Sequence, residues 1–256
     1  MEITPPFGYD EIVPLQKHHR VLMPHGTTPD FCRRLNALAV SWSEFAIAGR
    51  DYPIVFASLD EGGSYAPVIV LGLSEGSNLF IGPNGEWDPT CYLPAFVRRY
   101  PFCISKLYVD GEPSGDRVVC IAKAWIDPGG VELFDAQGAP HQRWQATEQL
   151  LSEYEADLDL TAQMCAALAR MQLFVPFTMQ VLDGEQSGLR VEGMYRIDEA
   201  RLRDLKPASH KVQVTKGYMG KIYAHLHSLD NFSRLYQRAQ LANAALAASA
   251  GDRIHR

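Results

Sequence analysis

From Tyr52 to about Phe134, short apolar runs alternate with turn clusters. Pro53–Ser58 and Pro67–Leu73 carry β-branched residues on either side of Asp60-Glu61-Gly62-Gly63-Ser64, which predicts two strands and a tight connection. Leu79–Ile81 and the residues after Glu86 flank Pro83-Asn84-Gly85. Asn and Gly accept the positive φ of tight hairpin turns, so this stretch reads as a further hairpin. Cys103–Val109 and Arg117–Trp125 are two more strands around Asp110-Gly111-Glu112-Pro113. No helical pattern intervenes, as a parallel βαβ fold would require, so an antiparallel meander is expected.

Around His141 the period lengthens. Trp144, Thr147, Leu151, Tyr154, Leu158, Thr161, Cys165 and Leu168 recur every three or four residues, one face of a long amphipathic helix. Thr178–Leu182 and Leu189–Ile197 then read as a hairpin across Asp183-Gly184, and Asp198 as the N-cap of a helix over Glu199–Leu205. A last helix is expected from about Gly217 to Ala248, striped by Met219, Ile222, Tyr223, Leu226, Leu229, Phe232 and Tyr236. Before the strands, residues 1–30 read as an extended arm, and Asp30–Ala48 has helical spacing at Phe31, Leu35 and Leu38. The expected fold is α+β: an antiparallel β-meander in the N-terminal half, packed against long amphipathic helices and a further hairpin from the C-terminal half. With no long flexible linker, residues 1–256 read as one unit: an arm and helix over 1–50, a β-rich part over 51–135, and a mainly helical part over 142–250 with its hairpin at 177–197.

Composition narrows the function. Of the 256 residues 46% are hydrophobic and 21% charged, as in ordinary folded proteins. The net charge of -6, without an evident Lys/Arg cluster, speaks against nucleic acid or an anionic membrane as partner. The five cysteines have wide spacings and apolar neighbours, which suits reduced thiols. The N-terminus has no secretory pattern and the apolar run Ala66–Leu73 is too short for a span, so a cytoplasmic location is expected.

Candidate chemistry is sparse. Gly72-Leu73-Ser74-Glu75-Gly76 has the spacing of a nucleophile elbow, but that motif needs a helix to follow, and Asn78–Ile81 reads as a strand. His225 and His227 on a helix point about 200° apart, which does not make a ligand pair. His18, His19 and His25 lie in the arm, and the local spacings of common zinc and iron sites are missing. Glu148, Glu153, Glu155, Asp157 and Asp159 alternate with the apolar stripe and read as a solvated face. No catalytic residue, metal site or cofactor is therefore expected.

The densest segment is Asn78–Phe102, which gathers prolines, aromatics and two arginines. Pro94 opens a short helix, Ala95–Tyr100, that Pro101 ends. Arg98 and Arg99 point in different directions there. Trp87, Tyr92, Phe96, Arg98, Arg99 and Tyr100 are the candidate binding residues, since rigid aromatics bury much area at low entropic cost. The competing reading is a core corner in which arginine caps a helix or pairs with an acid.

These residues also carry a resemblance. Pro5-Pro6-Phe7-Gly8-Tyr9, Asp51-Tyr52-Pro53-Ile54-Val55-Phe56, Asn78-Leu79-Phe80 and Arg98-Arg99-Tyr100-Pro101-Phe102 resemble the SapC family of bacterial proteins. So do Asp198-Glu199, Ile222-Tyr223-Ala224-His225-Leu226, Ser228-Leu229 and Asn231, with His227 departing from the apolar residue expected there. The resemblance implies a role beside surface-layer proteins, TonB-dependent receptors or protein-modifying enzymes, and supplies no catalytic residues. The resulting expectation is a non-catalytic accessory protein that binds a protein or peptide client of that kind. The alternatives are an oxygenase- or hydrolase-like enzyme or subunit acting on a peptide, and a structural surface-layer component.

Overall fold

A computed structural model of the protein describes residues 3–24, 28–60, 63–109, 112–180 and 190–254. The strands follow in chain order as β1 (Ile12–Pro14), β2 (Arg20–Val21), β3 (Ala37–Ala39), β4 (Ile54–Ser58) and β5 (Tyr65–Val70), then β6 (Phe102–Val109), β7 (Glu112–Ala122), β8 (Val131–Glu132), β9 (Phe174–Gln180) and β10 (Arg190–Ile197). The α-helices are α1 (Phe45–Ala48), α2 (Ala95–Arg98), α3 (Gln142–Arg170), α4 (Glu199–Arg203), α5 (Pro207–Thr215), α6 (Tyr218–Ser228) and α7 (Asn231–Ile254). The protein is α+β, and every strand pair described is antiparallel.

The chain divides into two compact units. The first holds Met1–Cys32 and Ala95–Ala156. Its three-stranded sheet has the order β1-β7-β6, and β2 pairs with β8 in a small ribbon. Its core gathers Val21, Phe102, Ile121, Leu133, Trp144 and Leu151. Burying each such large apolar side chain contributes about 1.5–3 kcal/mol before cavity effects. A second cluster joins Tyr9, Ile12, Cys103, Cys120 and Ala122 under the N-terminal arm. The arm is fixed by the Tyr9 hydroxyl, which donates to the Phe102 carbonyl at 2.8 Å. Gly8 is needed for the approach: its φ is +82°, and a Cβ there would strike the Phe31 ring.

The second unit holds Arg33–Pro94 and Asp157–Arg256. Its five-stranded sheet has the order β3-β5-β4-β10-β9. Ile54, Val55 and Phe56 of the central strand β4 are all buried, which explains why this segment reads as an unbroken apolar run. Pro176 sits in the edge strand β9, where the missing N–H costs no ladder bond and blunts the edge. The helical stripe of α3 is as the spacing predicts, with Trp144, Leu151 and Tyr154 buried in the first unit and Thr161, Cys165 and Leu168 in the second. Helix α3 ends where Gln172 takes a left-handed φ of 55° and the Leu173 N–H returns to the Leu168 carbonyl at 3.2 Å.

The structure departs from the sequence pattern in four places. The strands of the N-terminal half fall into two larger sheets and the β2–β8 ribbon, because β4 pairs with β10 from the C-terminal half instead of continuing toward β6. Asp30–Ala48 is not one helix. A 3-10 turn at Asp30–Arg34 gives way to β3, where Leu38 pairs with Ile69, and Ser41 with Glu44 then caps a new start. Asn78–Ile81 forms no strand; Ile81 makes only an isolated bridge to Trp87. Gly217–Ala248 is split after Ser228, and the short helix α5, with Pro207 in its first turn, precedes it. The Asp198 cap is as expected, accepting from the Ala200 and Arg201 N–H groups. The turns at Asp110-Gly111 and Asp183-Gly184 and residue His25 lie outside the described residues.

Candidate functional site

The six candidate binding residues divide between the two units. Trp87 and Tyr92 belong to the second. The turn before Trp87 closes through the Gly82 N–H on the Glu86 carbonyl at 2.9 Å, and Gly85 has a φ of 85° where a Cβ would meet the Arg33 guanidinium. Trp87 is buried and donates its indole N–H to the Tyr52 hydroxyl at 2.9 Å; Tyr52 in turn donates to the Tyr92 carbonyl. Burial pushes the Tyr52 phenol far above its usual range, so it stays a donor. Tyr92 is half-buried, its hydroxyl donating to Glu44 at 3.1 Å and its N–H to Asp51 at 2.8 Å. The buried Glu44 carboxylate also accepts from the Ser41 hydroxyl at 2.7 Å and N–H at 2.9 Å. Tyr92 lines an open cleft of about 470 Å³ with Arg50, Asp51, Thr90 and Cys91.

Arg238, which no sequence pattern singled out, organises the rim of this region. Its guanidinium lies 4.5 Å from the Phe80 ring centroid, donates to Asp88 at 2.7 Å and reaches the Cys91 sulfur at 3.4 Å. The Thr90 hydroxyl and Arg238 hold the Asp88 carboxyl down at about 2 against the opposing effect of burial. Cys91 is half-buried and its thiol is pushed up, chiefly by burial. The other four cysteines are buried, with Cys32, Cys103 and Cys165 pushed up to about 12 and Cys120 to about 11.

Phe96, Arg98, Arg99 and Tyr100 belong to the first unit. On the four-residue helix α2, Phe96 turns inward and Arg98 outward; the next residue, Arg99, is 5% exposed. Arg99 is caged by rings, with its guanidinium carbon 4.6 Å from the Phe96 centroid, 4.9 Å from Tyr154 and 6.0 Å from Tyr9. Each such contact is worth about 0.5–2 kcal/mol. The nearest carboxylate, Glu155, stands 4.0 Å away and is held more closely by Arg117 at 3.1 Å. The buried Arg99 Nε has no hydrogen-bond partner among the described residues. Of the two arginines, then, Arg98 is the exposed one.

Tyr100 is half-buried and locked in place. Its centroid lies 5.1 Å from Tyr9, 5.5 Å from Phe31 and 5.4 Å from Trp125, and its hydroxyl accepts from the Trp125 indole at 2.9 Å. Burial raises the phenol's pKa. The Tyr100–Pro101 peptide is cis. One side of Tyr100 lines a cleft of about 310 Å³ with Asp10, Glu11, Ala122 and Lys123, and Lys123 also borders a neighbouring cleft along β1. Glu11 and Lys123 are exposed and pair at 2.9 Å. The local arrangement is a fixed aromatic surface beside an exposed ion pair.

The histidine pair separates as helical geometry predicts. His225 is fully buried in the second unit: its Nδ1–H donates to the Ile54 carbonyl at 2.7 Å, and its Nε2 accepts from the Ile197 N–H at 3.1 Å. Burial, more than the Arg196 charge, lowers its pKa to about 4 against the Ile54 hydrogen bond. Ser228 accepts from the Ile54 N–H at 2.8 Å and donates to the His225 carbonyl at 2.6 Å. Asn231 donates to the Gly49 carbonyl at 2.9 Å and the Tyr52 carbonyl at 3.2 Å. These contacts account for the helix break after Ser228. Ser74 is exposed in a turn with no helix after it. Glu155 and Asp157 are not simply solvated: Asp157 accepts from the Ser43 N–H at 2.9 Å.

The family comparison follows the same residues. The SapC family model matches residues 15–235, most of the chain, including the Arg98–Phe102 block and the His225–Asn231 seam. The chain belongs to the SapC family. No curated protein and no solved structure matches it. Among the described residues, no helix is long and apolar enough to cross a membrane.

Proposed function

We propose that this SapC-family protein is a non-catalytic accessory that binds a protein or peptide client in the cytoplasm. The client is linked to surface-layer or outer-membrane function, such as a TonB-dependent receptor, or to protein modification. Family membership supports the setting. The single observation that carries the binding reading is Tyr100: an aromatic ring clamped by three others, with one side open to a cleft edged by Glu11 and Lys123. A ring that is already ordered loses little entropy on binding, and such anchors dominate interface energies. Within the candidate set, Trp87, Phe96 and Arg99 support the architecture, and Arg98, Tyr100 and the open side of Tyr92 present the surfaces.

The test is affinity capture from native cells with the protein tagged at its natural expression level. The wild type should enrich an envelope receptor or modifying enzyme. Arg98→Glu with Lys123→Glu, which leaves the packed rings alone, should lower that enrichment at least about tenfold. Capture of no such protein, or equal capture by the variant, contradicts the reading.

A further inference from the structure

Two of the buried cysteines face each other. Cys103 of β6 and Cys120 of β7 are direct cross-strand partners, so their side chains lie on the same face of the sheet. Both pack into the cluster of Tyr9, Ile12 and Ala122, and each is 0% exposed. The ladder fixes their separation. The Ala122 N–H donates to the Pro101 carbonyl, whereas the Lys123 N–H turns the other way, to the Glu11 carbonyl beside β1. Ladder bonds alternate, so Cys103 and Cys120 form a hydrogen-bonded pair with Cα atoms about 5.5 Å apart. That separation lies inside the span that a disulfide bridges, about 4.4–6.8 Å. The Cβ atoms of such a pair, also about 5.5 Å apart, are wider than the roughly 3.5–4.5 Å of a relaxed disulfide. A bond between these sulfurs therefore draws the strands together, stores strain and is readily reduced.

The N-terminal arm controls access to the pair. Tyr9 and Ile12 pack on it, the Tyr9 hydroxyl is tied to the Phe102 carbonyl at 2.8 Å, and the Ser105 hydroxyl donates to the Thr4 carbonyl at 3.3 Å. Burial pushes the thiols up, Cys103 to about 12 and Cys120 to about 11, so neither is a nucleophile while the arm is down. The Arg99 charge opposes burial at Cys103. When the arm lifts, the burial effect falls away and the cation remains, which makes Cys103 the first of the two to ionise.

We propose that Cys103 and Cys120 form a reversible cross-strand disulfide site, opened to small disulfide oxidants when the N-terminal arm lifts. The Cys103 thiolate attacks one sulfur of a small disulfide RSSR, forming a mixed disulfide and releasing RS⁻. Cys120 then gives up its proton and attacks the Cys103 sulfur, releasing the second RS⁻. Two protein thiols are oxidised, one external disulfide is reduced, and the two thiol protons end on the two RSH released. The Tyr100 ring packs against the same cluster, but the step needs no client and can fail or succeed apart from the client reading.

The test treats the reduced full-length protein with bis(2-hydroxyethyl) disulfide, blocks remaining thiols with N-ethylmaleimide, and maps tryptic peptides by mass spectrometry. Cleavage after Arg99, Lys106, Arg117 and Lys123 leaves Cys103 in residues 100–106 and Cys120 in residues 118–123, so the bond appears as these two peptides joined. The joined pair should form in the native protein and disappear on brief treatment with glutathione. Tyr9→Phe, which removes the tie to the Phe102 carbonyl, should speed closure about fivefold, the change in open population that one ordinary hydrogen bond brings. Arg99→Met should slow closure about threefold and move its pH profile upward. Circular dichroism checks that both variants are folded. The proposal is overturned if the joined peptides do not form, or form only in denaturing urea. It is also overturned if the folded Tyr9→Phe protein closes no faster than the wild type, or if Arg99→Met leaves both rate and pH profile unchanged.

Discussion

The seam of His225, Ser228 and Asn231 and the cage around Arg99 handle the same difficulty differently. Both put strongly polar side chains in nearly dry surroundings. In the seam, both ring nitrogens of His225, the Ser228 hydroxyl and the Asn231 amide group find backbone partners on β4, β10 and the residues leading into β4. In the cage, Arg99 has ring faces on several sides, one carboxylate at 4.0 Å and no hydrogen-bond partner for its Nε among the described residues. The contrast separates two uses of a polar group. The seam fixes which helix residue meets which strand residue, because a buried donor or acceptor left unpaired costs about 1–3 kcal/mol. The cage holds a bulky planar cation in place without depending on hydrogen-bond geometry, and the chain can present Arg98 and Tyr100 around it.

The comparison can be broken most directly by substitution. His225→Ala removes a core ring and strands the Ile54 carbonyl and Ile197 N–H, so urea unfolding should show a loss of about 3–5 kcal/mol. Arg99→Met keeps much of the volume, and the ring contacts it loses are offset by relief of a buried, incompletely bonded charge, so its net cost should stay within about 1 kcal/mol. If the two cost the same, the distinction between seam and cage fails.

Acid sharpens the comparison next. His225 has a pKa near 4 when folded, below its ordinary 6.5, so the unfolded chain takes up the proton first. Its contribution is complete above about pH 6.5 and is lost as pH falls toward 4, at up to about 1.4 kcal/mol per pH unit and about 3 kcal/mol in all. Unfolding curves across that window should show the slope in the wild type, and a His225→Ala protein that still folds should lack this component. A wild-type slope unchanged by the substitution would show that the ring is not held neutral.

A smaller effect is expected at the end of α3. Gln172 occupies a left-handed conformation that suits glycine, so Gln172→Gly should raise stability by up to about 1 kcal/mol in the same urea measurement. A loss would mean that the Gln172 side chain contributes more than its backbone strain removes.

Much of the fold was legible because periodicity reports burial. The α3 stripe, the β4–β5 and β6–β7 hairpins and the Asp198 cap all follow from local pattern. What escaped depends on partners distant in sequence. That β4 would take β10 as its neighbour is written in neither segment alone. The Ser228 break is invisible until Ile54 is placed beside it, since serine and leucine both continue a helical stripe tolerably well. At the aromatic corner helical spacing set Arg98 and Arg99 in different directions, but that Arg99 is the buried one follows only from the positions of Tyr9 and Tyr154.

The central claim is that a client polypeptide rests against the Tyr100 corner. A photo-crosslinking amino acid placed at Arg98 in living cells, with the same group at the exposed Glu148 as control, tests it most directly. The reading predicts a defined crosslinked polypeptide at Arg98, identified by mass spectrometry as an envelope receptor or modifying enzyme and missing from the control. Crosslinks no different from those at Glu148 would contradict it.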